Sequence, residues 1–149
     1  VLDSVFNRII RNRKLGKSTW VYIDEIYLLF QHEYSANFLF TLWKRVRKYG
    51  ACCTGLTQNV DDLLQSHTAR TMLANSEFLV MLNQAATDRA ELANLLNISD
   101  NQLSYITNVD SGRGLIKCGS AIVPFMNSFP KNRLYQLMTT RPSETMAAA

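Results

Sequence analysis

The sequence predicts an α/β domain with a mainly parallel sheet flanked by helices and a carboxy-terminal β-hairpin. Three observations lead there. Short apolar runs rich in β-branched and aromatic residues alternate with segments whose apolar residues recur at helical spacing. Two of those runs finish in polar pairs, Asp24-Glu25 and Thr57-Gln58, at the strand ends where α/β sheets hold their ligands. Late in the chain a Gly119-Ser120 pair separates two further apolar runs, as in a tight hairpin. The 149 residues suit one domain, and 47% hydrophobic with 19% charged residues is a globular composition rather than a disordered one.

The elements follow in order. Residues 1–13 place Leu2, Val5, Phe6, Ile9 and Ile10 on one helical face, and residues 20–26 form a buried strand. Ser35 caps a helix carrying Leu39, Leu42, Trp43 and Val46, which Gly50 ends. A second strand covers residues 51–57. Short helices follow at Asp61-Asp62 and over 68–75, then a third apolar strand over 77–82. Asp88 with Glu91, and Ser99 with Gln102, are capping-box patterns opening two more helices. Gly112-Arg113-Gly114 leads into the hairpin, whose Pro124 marks an edge strand. Residues 132–139 make a last short helix. The domain is expected to span 1–140, with 141–149 as a disordered tail.

Several function classes are excluded at this level. The longest apolar stretch, residues 20–30, is broken by Asp24 and Glu25 and falls short of the ~18 residues of a membrane span. The first residues carry Asp3 and a basic cluster, which does not read as a signal peptide. Cys52, Cys53 and Cys118 lack metal-ligand spacing and read as small hydrophobes in a reducing cytoplasm. His32 and His67 stand alone, so neither zinc nor a Ser/His/Asp triad is expected. The net charge of +4 is concentrated in two clusters, Arg8, Arg11, Arg13, Lys14 and Lys17, then Lys44, Arg45, Arg47 and Lys48. They read as solvated faces or as phosphate contacts.

Gly16-Lys17-Ser18-Thr19 imitates the end of a phosphate-binding loop. Such a loop needs a glycine five residues earlier, where this chain has Arg11, and it must open a helix. Trp20, Val21, Tyr22 and Ile23 follow instead, so the motif reads as a basic turn entering a strand. The Asp-Glu pair is a better candidate. A carboxylate closing a strand, facing a phosphate, can hold Mg²⁺ through its water shell, and a second can orient or deprotonate the attacking water. Asp24 takes the first role and Glu25 the second. Gln58, ending the neighbouring strand, both donates and accepts hydrogen bonds without charge and can touch water and terminal phosphate together. Arg45 and Arg47 can either favour the helix terminus they sit on or reach a neighbouring subunit's phosphates. Arg89 and Arg113 are weaker candidates for the same work.

Taken in order, Trp20-Val21-Tyr22-Ile23-Asp24-Glu25-Ile26, the helix ending in Trp43 to Gly50, Thr57-Gln58-Asn59-Val60-Asp61-Asp62, Leu82-Asn83-Gln84, Thr87-Asp88-Arg89 and Gly112-Arg113-Gly114 form a recognisable series. It resembles the carboxy-terminal motor domain of the large ATPase of conjugative type IV secretion systems, in the version carried by Gram-positive conjugative elements. The resemblance implies a partial RecA-like P-loop NTPase fold related to FtsK/HerA-type motors. It implies ATP and Mg²⁺ as cofactors, with Asp24 as the Walker B magnesium carboxylate, Glu25 as the catalytic carboxylate, Gln58 as a phosphate sensor and Thr57 beside the nucleotide. Arg45 or Arg47 would act across a subunit interface. It further implies a homo-oligomer, commonly a hexamer, working with secretion-channel components and in some readings DNA, at the cytoplasmic face of the cell membrane. The family's phosphate loop is expected upstream of Val1, so the 149 residues are expected to carry half a site and to be inactive alone. Two other functions share these residues: a HerA/FtsK-like DNA translocase or helicase, and a non-catalytic RecA-like module that binds DNA or partners through its basic clusters.

Overall fold

A computed structural model of the chain describes residues 1–139. Helix α1 (Leu2–Lys14) packs Ile9, fully buried, against Leu42, Val46 and Ala51, with Val5, Phe6 and Tyr49 around them. Its last turn is basic, where cations favour the helix dipole, and Gly16, at φ 68°, turns the chain into β1 (Thr19–Ile23). Gly16-Lys17-Ser18-Thr19 is therefore a helix-to-strand turn. Its Thr19 hydroxyl accepts a hydrogen bond from Asn12 Nδ2 at 2.9 Å.

A short 3-10 segment (Ile26–Phe30) leads to α2 (Glu33–Arg45), a 3-10 turn (Val46–Tyr49) and Gly50, whose left-handed φ of 63° reverses the chain into β2 (Ala51–Gly55). Strands β1 and β2 pair in parallel, Thr19 opposite Ala51 and Ile23 opposite Gly55. Helices α3 (Val60–Gln65) and α4 (His67–Ala74) follow, capped by the side chains of Asn59 and Ser66. Ile26, Leu39, Leu63, Ala69 and Met72 form the core that joins these helices to the end of β1.

The rest of the described chain builds a second sheet. Strand β3 (Phe78–Met81) pairs antiparallel with β4 (Arg113–Cys118), which pairs antiparallel with β5 (Ala121–Met126). Met81 and Leu115 face inward against Leu92, Leu96, Ile98 and Ile106 from α5 (Ala86–Leu96), the helical turns α6 (Asp100–Leu103) and Ser104–Ile106, and the loop between. A final helix, α7 (Arg133–Met138), carries its cap on Asn132. No helix among the described residues is long and apolar enough to cross a membrane.

The α/β class, the parallel pair and the hairpin match expectation, and five local readings change. The second strand ends at Gly55, so Thr57 and Gln58 lie in the loop just beyond it. The third strand lies in the antiparallel hairpin sheet, because Leu79 and Met81 oppose Lys117 and Leu115 and share one core with α5. Strand β1 ends at Ile23 and is buried on one face alone, leaving Trp20 at 65% and Tyr22 at 67% exposure on the other. Helix α2 starts two residues before Ser35. The buried Ser35 hydroxyl instead lies within hydrogen-bonding distance of the Leu29 carbonyl (2.5 Å) and the His32 carbonyl (3.0 Å), tying the first turn to the 3-10 segment. Helix α5 starts at Ala86, which puts Asp88 in the first turn, whereas the Ser99–Gln102 capping box forms as expected. The expected tail over 141–149 lies outside the described residues.

Candidate nucleotide site

At the carboxyl end of β1 the chain makes a sharp turn through Asp24 and Glu25. Glu25 sits in the left-handed region, φ 47° and ψ 50°. Two backbone hydrogen bonds to one residue of the adjoining strand's exit hold this turn: Leu56 N–H donates to the Ile23 carbonyl at 2.8 Å, and Ile26 N–H donates to the Leu56 carbonyl at 2.9 Å. Residues on both sides of the acidic pair are thereby fastened to Leu56. The Asp24 carboxylate accepts a hydrogen bond from Glu25 N–H at 3.1 Å, which fixes one oxygen and leaves the other toward solvent.

Strand β2 delivers Thr57 and Gln58 to the same end. Gln58 N–H points at Glu25 Oε2, at 3.5 Å, a long contact that nonetheless places the two residues side by side. The Thr57 hydroxyl accepts from Asn59 N–H and reaches the Asn59 carbonyl, both at 3.1 Å, forming a compact turn. Asn59 then caps α3 through Asp62 N–H at 3.2 Å. Asp24, Glu25, Thr57 and Gln58 are thus brought together across 33 residues of sequence by the parallel pairing of two strands.

The arginines are placed differently. Arg45 and Arg47 are exposed at the carboxyl end of α2 and the turn after it, before β2 begins. They stand at the amino end of the parallel pair. The five residues of β2 separate them from the acidic turn, a length of roughly 16 Å at about 3.3 Å per residue. Arg13 lies over the Tyr49 ring, 5.8 Å from its centroid, so the two basic clusters meet at this amino end. Arg113 pairs with Asp110 at 3.7 Å at the start of β4, and Arg89 is half-buried in α5. None of the four is drawn to Asp24 and Glu25 within one chain.

The acidic turn is open. A hollow of about 410 Å³ is lined by Leu64, Arg70, Glu91, Asn94 and Leu95, and another of about 390 Å³ by Tyr27, Phe30, Gln31, Asp62, Gln65 and Ser66, beginning two residues after Glu25. Hard carboxylate oxygens at an exposed strand end fit Mg²⁺, which keeps most of its waters and takes one or two carboxylates alongside a substrate's phosphates. The donor set therefore suits a magnesium–nucleotide complex and not a closed protein cage. No group of three His, Cys, Asp or Glu side chains among the described residues gathers at metal-binding distance.

Sequence reasoning missed Ile26, Gly55 and Leu56, which shape the turn. Glycine at the end of an apolar strand, a usual sign of close backbone approach, was the available signal.

Residues 1–116 match the family model described as the TraG P-loop domain. The chain belongs to that family. Among solved structures, this TraG-family chain is similar to VirB4 of Thermoanaerobacter pseudethanolicus, with a TM-score of 0.77 and 26% sequence identity. The match covers 87% of this chain and 36% of the VirB4 chain, so these residues span about a third of that relative's length. No curated protein sequence matches the chain. The family and the VirB4 likeness agree with the conjugative-ATPase resemblance carried by the ordered motifs, and with a RecA-like fold.

Proposed function

We propose that this TraG-family domain is part of an ATP-hydrolysing motor of a conjugative type IV secretion system, and that it carries the acidic half of the nucleotide site. One observation supports this most: Glu25 and Gln58 lie side by side at the carboxyl ends of two parallel hydrogen-bonded strands, with Asp24 beside them. A phosphate loop from a segment outside these residues would complete the site.

Each residue's role follows from its chemistry. Asp24 would hold Mg²⁺ through its water shell, using the carboxylate oxygen left free by Glu25 N–H. Glu25 orients the attacking water and takes its proton. Gln58 lends an amide that can contact that water and the terminal phosphate together. Thr57 holds the Gln58 loop through Asn59. Mg²⁺-ATP, when bound, supplies the phosphoryl group and neutralises the charge that develops on its oxygens. Arg45 or Arg47, remote from this turn in their own chain, would serve a neighbouring copy's phosphates. In this reading the motor is a homo-oligomer, taken as hexameric from the family resemblance, acting with channel components at the cytoplasmic face of the membrane.

A second reading rests on one observation. Residues 4–23 and 34–60 contain nine exposed Lys and Arg and no Asp or Glu, and they pack together through Ile9, Val46 and Tyr49. Such a face suits a module that binds DNA or a partner.

Under both readings the 149 residues alone should turn over no ATP, so the full-length protein separates them. In the full-length protein, Asp24→Asn should remove the magnesium dependence of nucleotide binding. If binding and turnover are unchanged in that variant while DNA binding is salt-sensitive, the second reading holds.

A further inference from the structure

We propose that Gly55, Ile26 and the Leu56 backbone form a positioning clamp that fixes the direction of the Glu25 carboxylate. The inference rests on the reading of Glu25 as the catalytic carboxylate and assigns the residues that aim it.

Three non-glycine residues among those described have positive φ: Glu25, Asn97 and Asn108. Asparagine tolerates the left-handed region because its short amide bonds locally; glutamate has no such compensation. A residue stays in a strained conformation when its surroundings over-determine it, and such sites gather where function needs a fixed direction. At Glu25 the surroundings are specific. The bonds from Leu56 N–H to the Ile23 carbonyl and from Ile26 N–H to the Leu56 carbonyl fasten both flanks of the turn. Ile26, 5% exposed, is then anchored in the core formed with Leu39, Leu63, Ala69 and Met72.

Gly55 makes that anchoring possible. A Cβ at this position would stand 2.5 Å from Ile26 Cδ1, 3.2 Å from Cγ2 and 3.4 Å from Cβ. The clash is with Cδ1, which has little room to swing aside because the branched side chain is stiff at its first torsion and the core closes behind it; Cγ2 need give by only a few tenths of an ångström and Cβ is at ordinary contact. A side chain at position 55 therefore pushes Ile26 away from β2 and turns the residue joined to it, Glu25. Gly55 has an ordinary φ, so steric access, and not backbone freedom, is what its lack of a side chain provides.

The test uses the full-length protein, with turnover normalised to sites that bind nucleotide. Misplacing a reacting group by about 1 Å costs up to roughly 100-fold, so Gly55→Ala is expected to lower kcat by about 10- to 100-fold. Nucleotide affinity should stay within about threefold, since the change acts on the chemical step. Adding Ile26→Val to Gly55→Ala deletes the Cδ1 methyl and should restore most of the lost kcat, a rescue that a general loss of stability would not show. Should Gly55→Ala fail to fold, Ile26→Ala loosens the same clamp without a clash and is expected to lower kcat with affinity retained. Wild-type turnover in Gly55→Ala, or in Ile26→Ala if that variant is needed, overturns the clamp when Glu25→Gln in the same protein is inactive; so does a double variant no faster than Gly55→Ala. Wild-type turnover in Glu25→Gln instead overturns the underlying assignment of Glu25.

Discussion

Adjacent side chains in this chain meet very different surroundings. Cys52 is exposed, whereas burial, with the neighbouring Cys52 adding to it, pushes the Cys53 thiol from 9.0 up to about 11. The thiolate is the reactive form, so labelling at pH 8 should modify Cys52 and Cys118 and spare Cys53 in the folded protein. Mass mapping after a brief maleimide pulse checks this, and modification of Cys53 at the rate of Cys52 would contradict it. The linkage has a defined sign. Between pH 9.0 and about 11 the unfolded chain ionises Cys53 while the folded chain keeps it neutral; its contribution to stability is thus intact below 9.0 and is lost as pH rises through that window. Asp24, Glu25, Thr57 and Gln58 were legible as candidates because polar residues closing apolar runs are visible in one dimension. The left-handed turn at Glu25 was not, since it arises from hydrogen bonds to Leu56 and from the space over Gly55, both contributed by another strand.

Among the elements, α2 joins two of the cores. Its Leu39 is fully buried between Ile26 and the α3–α4 pair, and its Leu42 packs against α1 and β2. Leu39→Ala should cost about 2–5 kcal/mol, the range for emptying a buried leucine site. A urea titration reads this as a lower midpoint with an unchanged slope. A surface cap is worth less: Ser99→Ala removes the acceptor for Gln102 N–H in the capping box and should cost about 1 kcal/mol. Helices were legible from periodicity, and boundaries failed where a side chain had a tertiary competitor. Ser35 looks like a cap in sequence but lies inside the first turn, its hydroxyl directed to Leu29 and His32. The Ser99 cap has no such competitor and was read correctly.

For the molecule as a whole, apolar sheet faces decide behaviour. Trp20 and Tyr22 on the parallel pair, and Phe78 (63%) and Val80 (60%) on the hairpin sheet, stand exposed while the opposite faces hold the cores. Contiguous apolar surface of this kind, with unpaired strand edges, drives association. The 149 residues studied alone should self-associate, and light scattering at rising concentration checks it; a monomer throughout would contradict the expectation. The fold class was legible because two periodicities alternate along the chain. Strand partnership was not, because β3 is apolar on both faces in sequence and its pairing with β4 depends on a core shared with α5.

The proposed division of labour at the strand ends is tested most directly by ATP hydrolysis in the full-length protein and its Glu25→Gln variant, with nucleotide binding measured alongside. General-base contributions are on the order of 100- to 10,000-fold, so turnover should fall by at least about 100-fold in the variant while Mg²⁺-ATP still binds. Turnover equal to wild type, or absent from both proteins despite bound nucleotide, would contradict the assignment of Glu25 and shift the function to the basic face.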